Sequence, residues 1–368
     1  MSGNTDVFVI GGGPAGLAAA IAARQRGFDV TVADGARPPI DKACGEGLMP
    51  DTLSALRDLG VSLSASDGFA FRGVRFFERS TSAGADFPQE YGIGVRRVVL
   101  HQMLLERAQS VGVRLLWETP VRGVREEEVL AGDEMIRARW IVGADGVSSR
   151  VRGWRGLNEH THGERRYASR QHYGVVPWSE HVEIYWGDSS QAYVTPVGKE
   201  QVCVVLVSRI PGLRLSSLQA EFPRLARRLE GARCIGAERG AVTITSQLKN
   251  VYRGRVALVG DASGSVDAIT GDGLNLTFRQ APALAAAMQS GELASYQQAH
   301  RKLARRPTSI ARLMLLLGSR AALRRRTIAV LAAHPEVFSR LLSVHLGAAS
   351  PMEIASAGTL LGWRLMTA

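Results

Sequence analysis

The chain of 368 residues is 45% apolar and 21% charged, which fits about two folded domains and excludes a disordered tail or a disulfide miniprotein. Its formal net charge is +11, with all but four of its 45 basic residues arginine. Such a balance attracts anions in general, but no basic, aromatic-interleaved motif accompanies it, so nucleic acid is not an expected partner.

The N-terminal segment carries Asp6 where a signal peptide is basic, and no run of about 18 apolar residues follows anywhere, so the expected location is the cytoplasm. The apolar run Val7 to Ile10, the turn Gly11-Gly12-Gly13-Pro14-Ala15-Gly16, an alanine-rich helix to Arg26 and a strand from Asp29 to Ala33 read as a nucleotide-binding βαβ unit. In Gly11-x-Gly13-x-x-Gly16 the first glycine makes the tight turn. The second admits a pyrophosphate to the backbone amides, and the third lets helix and strand pack closely. Pro14 and Ala15 open the helix whose N-terminus receives the phosphates. Asp34 ends the second strand, where a carboxylate accepts ribose hydroxyls.

Leu53, Leu56 and Leu59 have helical spacing that stops at Gly60, and short strands such as Val74 to Phe77 follow. A helix through Leu100, Leu104 and Ala108 precedes strands at Val113 to Trp117 and Ile136 to Val142. From about 168 to 248 the pattern alternates through Tyr173 to Val176, Val182 to Trp186, Gln191 to Thr195 and Val202 to Val207, which predicts an antiparallel sheet. Arg255 to Gly260 is one more buried strand, and the pattern after 272 is helical. Cys44, Cys203 and Cys234 lack metal-ligand spacing and suit a reducing compartment, so no metal is expected.

Gly143-Ala144-Asp145-Gly146-Val147-Ser148-Ser149-Arg150-Val151-Arg152 resembles the GADGxxSxVR element of flavoproteins with the para-hydroxybenzoate hydroxylase type of fold, and Gly260-Asp261-Ala262 resembles their GDA element. The resemblance implies an α/β, two-domain protein: a Rossmann-like FAD-binding domain (1–70, 95–165 and 249–300) interleaved with an antiparallel β-sheet substrate domain (71–94 and 166–248), then C-terminal helices (301–368). It implies non-covalent FAD, with Asp145 and Gly146 at the cofactor, Asp261 holding the ribityl chain, and Gly271, Gly273, Leu274 and Asn275 forming the helix N-terminus that faces the isoalloxazine carbonyl. Arg97 resembles the arginine that leads a helix to the pyrophosphate and ribose region, with Arg96 an equal candidate by composition. Val121 sits where the family contacts adenine through the backbone.

Lys42-Ala43-Cys44-Gly45-Glu46-Gly47-Leu48 resembles the CGxGL stretch of the geranylgeranyl reductase branch, which places Lys42 and Cys44 near the flavin and makes Cys44 a candidate catalytic thiol. That branch's YxWxFPxG signature is only half present in Tyr193 to Gly198, and the halogenase WxWxIP motif is absent. His172, Tyr185, Trp186, Tyr193 and Pro196 are the candidate substrate residues, with His172 a candidate proton donor. The cysteine loop points to an alkene reductase. The degraded signature and Gly273-Leu274-Asn275-Leu276 point to a monooxygenase of an aromatic or polyketide-like hydrophobic molecule, the preferred reading. A flavoprotein that passes electrons to a membrane partner is the reading from another class.

No second Gly-x-Gly-x-x-Gly follows residue 34, so NADH or NADPH is expected as a transient reductant, or else a separate reductase or carrier supplies the electrons. The C-terminal arginines interleave with Leu313 to Leu317. They read as a helical cap or as a basic amphipathic surface for peripheral contact with the inner membrane face.

Overall fold

The computed structural model describes residues 4–88 and 90–348. Val7, Val9 and their neighbours are fully buried on both faces of β1 (Thr5–Ile10), because α1 (Pro14–Gln25) covers the strand before the chain returns in parallel as β2 (Val30–Ala33). A loop through Cys44 leads to β3 (Gly47–Leu48) and α2 (Pro50–Asp58). The chain then leaves this layer through β4 (Phe69–Phe71), β5 (Gly73–Glu78), β6 (Thr81–Asp86) and β7 (Gly92–Gly94). It returns in α3 (Arg97–Ser110), β8 (Arg114–Leu116), β9 (Val121–Arg125), β10 (Glu128–Ala131), β11 (Glu134–Gly143) and α4 (Arg150–Trp154).

The second layer is β12 (His160–Gly174), β13 (His181–Trp186), β14 (Ser190–Gly198), β15 (Gln201–Ser208), the short helices α5 (Leu218–Glu221) and α6 (Pro223–Leu229), and β16 (Arg233–Leu248). β17 (Tyr252–Arg253), β18 (Val256–Leu258) and β19 (Gly264–Ser265) follow, then α7 (Gly273–Ser290), α8 (Leu293–Ser319), α9 (Ala321–Ala333) and α10 (Pro335–Leu346). Residues 349–368 of the expected C-terminal helical region lie outside the described residues.

The nucleotide-binding sheet runs β17-β18-β11-β1-β2-β8, and the second sheet runs β19-β16-β12-β15-β14-β13-β5-β6. The protein is thus the expected α/β flavoprotein type, with two corrections. The second sheet is mixed, because β5 enters from the first layer and pairs in parallel with β13. The alternation expected to run from 168 to 248 is interrupted by α5 and α6, whose Leu218, Phe222, Leu225 and Leu229 recur at helical spacing and bury one face of the sheet.

Period-two alternation sorts the second sheet's side chains. Tyr185 and Ala192 pack outward under α5 and α6, while Trp186, Ile184 and Tyr193 join Phe76, Leu317, Ile328 and Phe338 beneath the C-terminal helices. Within α8, His300 is buried and its Nε2 lies 2.9 Å from Ser263 Oγ. Burial pushes its pKa down to about 4. Native His300 therefore resists protonation that the unfolded chain accepts below about pH 6.5. Stability should fall by up to about 3 kcal/mol as pH drops from about 6.5 to about 4. Urea unfolding across that range should show the slope, and His300→Gln should flatten it; an unchanged slope in the variant would assign it elsewhere.

Candidate active site

The glycine loop is built for close backbone approach. Gly11 has φ +113°, and a Cβ there would lie 2.5 Å from the Ala144 carbonyl oxygen; a Cβ on Gly16 would lie 1.7 Å from the Gly11 oxygen. Beside Gly13, by contrast, there is open space where a Cβ would stand. Pro14 occupies the first helical position, and no side chain caps the N-terminus of α1. The amide groups of its first turn are therefore available to an anion. Gly260 has φ +61°, and its missing Cβ leaves room for the Ala15 methyl, which brings the turn before Asp261 against the start of α1.

Asp261 is exposed in this cleft, and its carboxylate has no hydrogen-bond partner among the described residues. Protein packed around the cleft raises its pKa above the ordinary carboxylate value, while Arg97, Lys42 and Arg152 oppose the rise. Arg96 and Arg97 each bury an Nε without a partner, but it is Arg97 whose charge acts on Asp261, while that of Arg96 acts on Asp41. Arg96 also reaches Gln201, at 3.5 Å. Of the two arginines, Arg97 is thus the one placed toward the cleft. An unpartnered acceptor, an unpartnered cation and a helix N-terminus converge here, and together they fit a dinucleotide with sugar hydroxyls and a pyrophosphate.

Other expected cofactor residues have more local work. Asp34 Oδ2 accepts the Gly12 amide at 2.7 Å and Oδ1 the Ala36 amide at 2.8 Å, which leaves lone pairs for a hydroxyl donor. Val121 begins β9, and Thr119, just before it, donates its amide to the Asp34 carbonyl at 2.9 Å. Asp145 was expected at the cofactor. Its carboxylate accepts from Ser149 Oγ at 2.6 Å and from the amides of Arg150 and Val151, so it fixes the start of α4. Gly146 has φ +83° and lies beside Lys42.

At α7, Gly271 has φ +71° and packs against Met49, while Gly273 faces open space. Leu274 packs against the first core. Asn275 was expected to form part of the helix N-terminus that faces the ring, and its side chain is taken up locally. Its Nδ2 donates to Asp51 Oδ2 at 2.6 Å, and its Oδ1 accepts from Arg279 Nε at 2.9 Å. Only its backbone remains for the cofactor.

The loop carrying Cys44 is clamped by Glu46, which has φ +60° and is 3% exposed. Its Oε1 accepts the Arg97 amide at 2.9 Å, and its Oε2 lies 2.6 Å from His172 Nε2. Arg170 Nη1 lies 2.9 Å from His172 Nδ1. Because an ionised carboxylate only accepts, His172 Nε2 is the donor in its contact with Glu46. Arg170 Nη2 continues the chain to Asp41 Oδ1 at 2.7 Å, and Asp41, held low by Arg170 and Arg239 against its own burial, stays ionised. Cys44 Sγ accepts from the Glu46 amide at 3.4 Å, and the Cys44 carbonyl faces Cys203 Sγ at 3.6 Å. The clamp joins the cysteine loop, the start of α3 and the second sheet.

The substrate candidates divide. His172 is buried in this hydrogen-bonded chain and not presented to a cavity. Tyr185 lies on the outer face, stacked on Phe77 at 4.5 Å and donating to Glu183 Oε2 at 2.6 Å, so it is not a cavity residue. Trp186 is 4% exposed, edge-on to Phe76 and beneath Arg324. Adjacent strand positions face opposite sides, so Tyr185 and Trp186 could not both have lined one cavity. Tyr193 alone among the aromatics remains half-buried on the inner face, its hydroxyl donating to Gln191 Oε1 at 3.2 Å. The Pro196 carbonyl packs on the Gly94 backbone, in the space that a Gly94 side chain would need.

Glu46, Asp41, Arg170 and His101 were not singled out from sequence as site residues. Arg166, Arg170 and His172 do share one face of β12 by alternation, an unusual density of charge for an inward face. His101 is buried on α3 and donates from Nε2 to the Gly12 carbonyl at 2.8 Å, with burial lowering its pKa.

Asp261→Ala should weaken FAD binding by about 1.5 to 3 kcal/mol, roughly 10- to 150-fold, through loss of a charged acceptor. Fluorescence titration of the apoprotein measures it, and an unchanged affinity with an intact fold removes the assignment.

Known proteins agree with this geometry. The chain is 28% identical over 321 residues to a menaquinone reductase of Mycobacterium tuberculosis, covering 79% of this chain and 78% of that one. It is 29% identical to digeranylgeranylglycerophospholipid reductase 1 of Methanopyrus kandleri (73% and 76% covered) and 28% identical to 3-demethoxyubiquinol 3-hydroxylase of Escherichia coli (76% and 78% covered). A flavoprotein/dehydrogenase of Cytophaga hutchinsonii shares the fold with TM-score 0.84 at 19% identity, covering 99% of this chain and 100% of that one. Residues 4–306 match the family described as FAD binding domain, and with its cleft built for that cofactor the chain belongs to this family of flavin oxidoreductases.

Proposed function

We propose that this FAD-dependent oxidoreductase acts on an isoprenoid-bearing lipid and reduces one of its carbon–carbon double bonds. The Cys44 to Met49 segment carries this reading. Glu46 holds it between the cofactor cleft and the second sheet, and Met49 joins an apolar cluster with Ile269, Tyr193 and Leu317. An apolar wall beside the cleft suits a hydrocarbon chain, whose burial contributes about 25 cal/mol per Å². The two reductase relatives are named for prenylated substrates as well. FAD, when bound and reduced, supplies the hydride chemistry. This chain's residues hold the cofactor through Asp261, Arg97 and the glycine loop, fix the cysteine loop through Glu46, and exclude water with the Met49 cluster.

Hydroxylation is the second reading, favoured by the hydroxylase relative and by Thr195 standing where the reductase signature has tryptophan. Reduced nicotinamide is the proposed transient donor, with a separate reductase or carrier as its replacement. Anaerobic turnover of menaquinone and geranylgeranyl lipids, and aerobic turnover of phenolic quinol precursors, separate the readings by product mass. A gain of two hydrogens that persists after the quinone ring is reoxidised supports double-bond reduction, a gain of one oxygen atom replaces it with hydroxylation, and no turnover with rapid reoxidation by a protein acceptor replaces both with electron carriage.

A further inference from the structure

Among the described residues no single helix is long and apolar enough to cross a membrane, yet α8 has two faces of different character. Its inner face packs Met314 and Leu317 into the cluster that contains Trp186 and Tyr193, and a Cβ on Gly318 would lie 3.3 Å from Gln191 Nε2. Its outer face presents Arg305 and Arg312 to solvent together with Leu313, 47% exposed, and Leu316, 42% exposed, and the exposed Arg320 follows directly after its last residue. Positions 305, 309, 312, 313 and 316 fall on one side of a helix with 3.6 residues per turn.

Exposed leucines at helical spacing cost hydration free energy, and arginines beside them would only repel one another unless an anionic surface lay opposite. Between Glu292 and Glu336 there is no aspartate or glutamate, whereas Lys and Arg together number nine. Arg325 and Arg326 on α9 are exposed as well, while Arg324 is buried against Glu78. The charge complements an anionic bilayer, and the leucines supply the shallow apolar insertion that distinguishes a lipid surface from a merely acidic protein.

We infer that the outer face of α8, centred on Arg312, Leu313 and Leu316, together with Arg320 at its C-terminal end, docks the protein on an anionic phospholipid bilayer. The same helix then separates the bilayer from the apolar cluster, which places the source of a lipid substrate one helix away from the cluster that receives it. That last step rests on the proposed function; the docking does not.

Sedimentation of the FAD-loaded protein with phosphatidylcholine vesicles, with and without phosphatidylglycerol, tests the surface. Binding should require the anionic lipid and weaken as salt rises, because screening removes the arginine contribution. Leu313→Glu/Leu316→Glu and Arg312→Glu/Arg320→Glu should each lower partitioning at least about tenfold, with flavin content unchanged because these side chains are exposed. Equal binding to neutral vesicles, variants that partition like the parent, or no vesicle binding alongside tight binding to heparin would each overturn the proposal. Turnover of detergent-dispersed menaquinone, measured in parallel, keeps the two readings apart. Turnover without vesicle binding removes the docking surface alone, and vesicle binding without turnover of any lipid removes the proposed substrate class alone.

Discussion

Gly16→Ala is expected to yield a colourless protein destabilised by more than about 4 kcal/mol, whereas Gly13→Ala leaves the apoprotein as stable as the parent. Alanine is the better helix former by about 1 kcal/mol, so propensity alone predicts the opposite sign at position 16. Steric contact decides it. The new methyl would lie 1.7 Å from the Gly11 oxygen and 3.3 Å from a Val9 methyl, and α1 could escape only by moving off β1 and opening the turn that faces the phosphates. At Gly13 nothing stands in the way within 4 Å, and the backbone φ is −73°. There the methyl meets only the incoming cofactor. Urea unfolding of both apoproteins, followed by FAD titration, checks the pair. A stable Gly16→Ala that still binds FAD would show that the loop relaxes more freely than its contacts allow.

Arg324→Ala should destabilise the protein by about 3 to 5 kcal/mol, because it leaves the Glu78 carboxyl group buried without its partner. Arg324 is 1% exposed, donates from Nε to Glu78 Oε2 at 2.7 Å and from Nη2 to Oε1 at 3.3 Å, and also reaches the Gly318 carbonyl at 3.2 Å. It ties α9 to β5 and to the end of α8, so its loss frees the C-terminal helices from the second sheet. The double variant Arg324→Met/Glu78→Gln should recover much of the loss, since it removes both charges from the low-dielectric interior. A loss below about 1 kcal/mol for the single variant would mean that water reaches Glu78 and that the pair is not what holds the helices.

The cofactor cleft was readable from sequence because its requirements are local. Positive φ, a helix opened by proline and a strand closed by an acid are each written within a few residues, and Gly11, Gly16, Asp34 and Asp261 all lie where those patterns place them. Hydrophobic period likewise marked most strands of both layers. It missed α5 and α6, because short helices between strands leave few turns in which to show a period.

What the sequence by itself determined about this protein is its flavoprotein class and the backbone that cradles the dinucleotide. What only the tertiary structure decided is which side chains face that cradle. Asp145 and Asn275 sit in the expected motifs, and each engages a nearby partner, since a buried polar group takes the donor or acceptor within reach. Glu46 meets His172 across 126 residues. No local pattern encodes such a pairing, because it exists only once β12 is docked over the cysteine loop. Tyr185 and Trp186 are neighbours in sequence and belong to opposite faces of the sheet. Their fate followed from the pleat together with what covers each side, α5 and α6 on one and the C-terminal helices on the other.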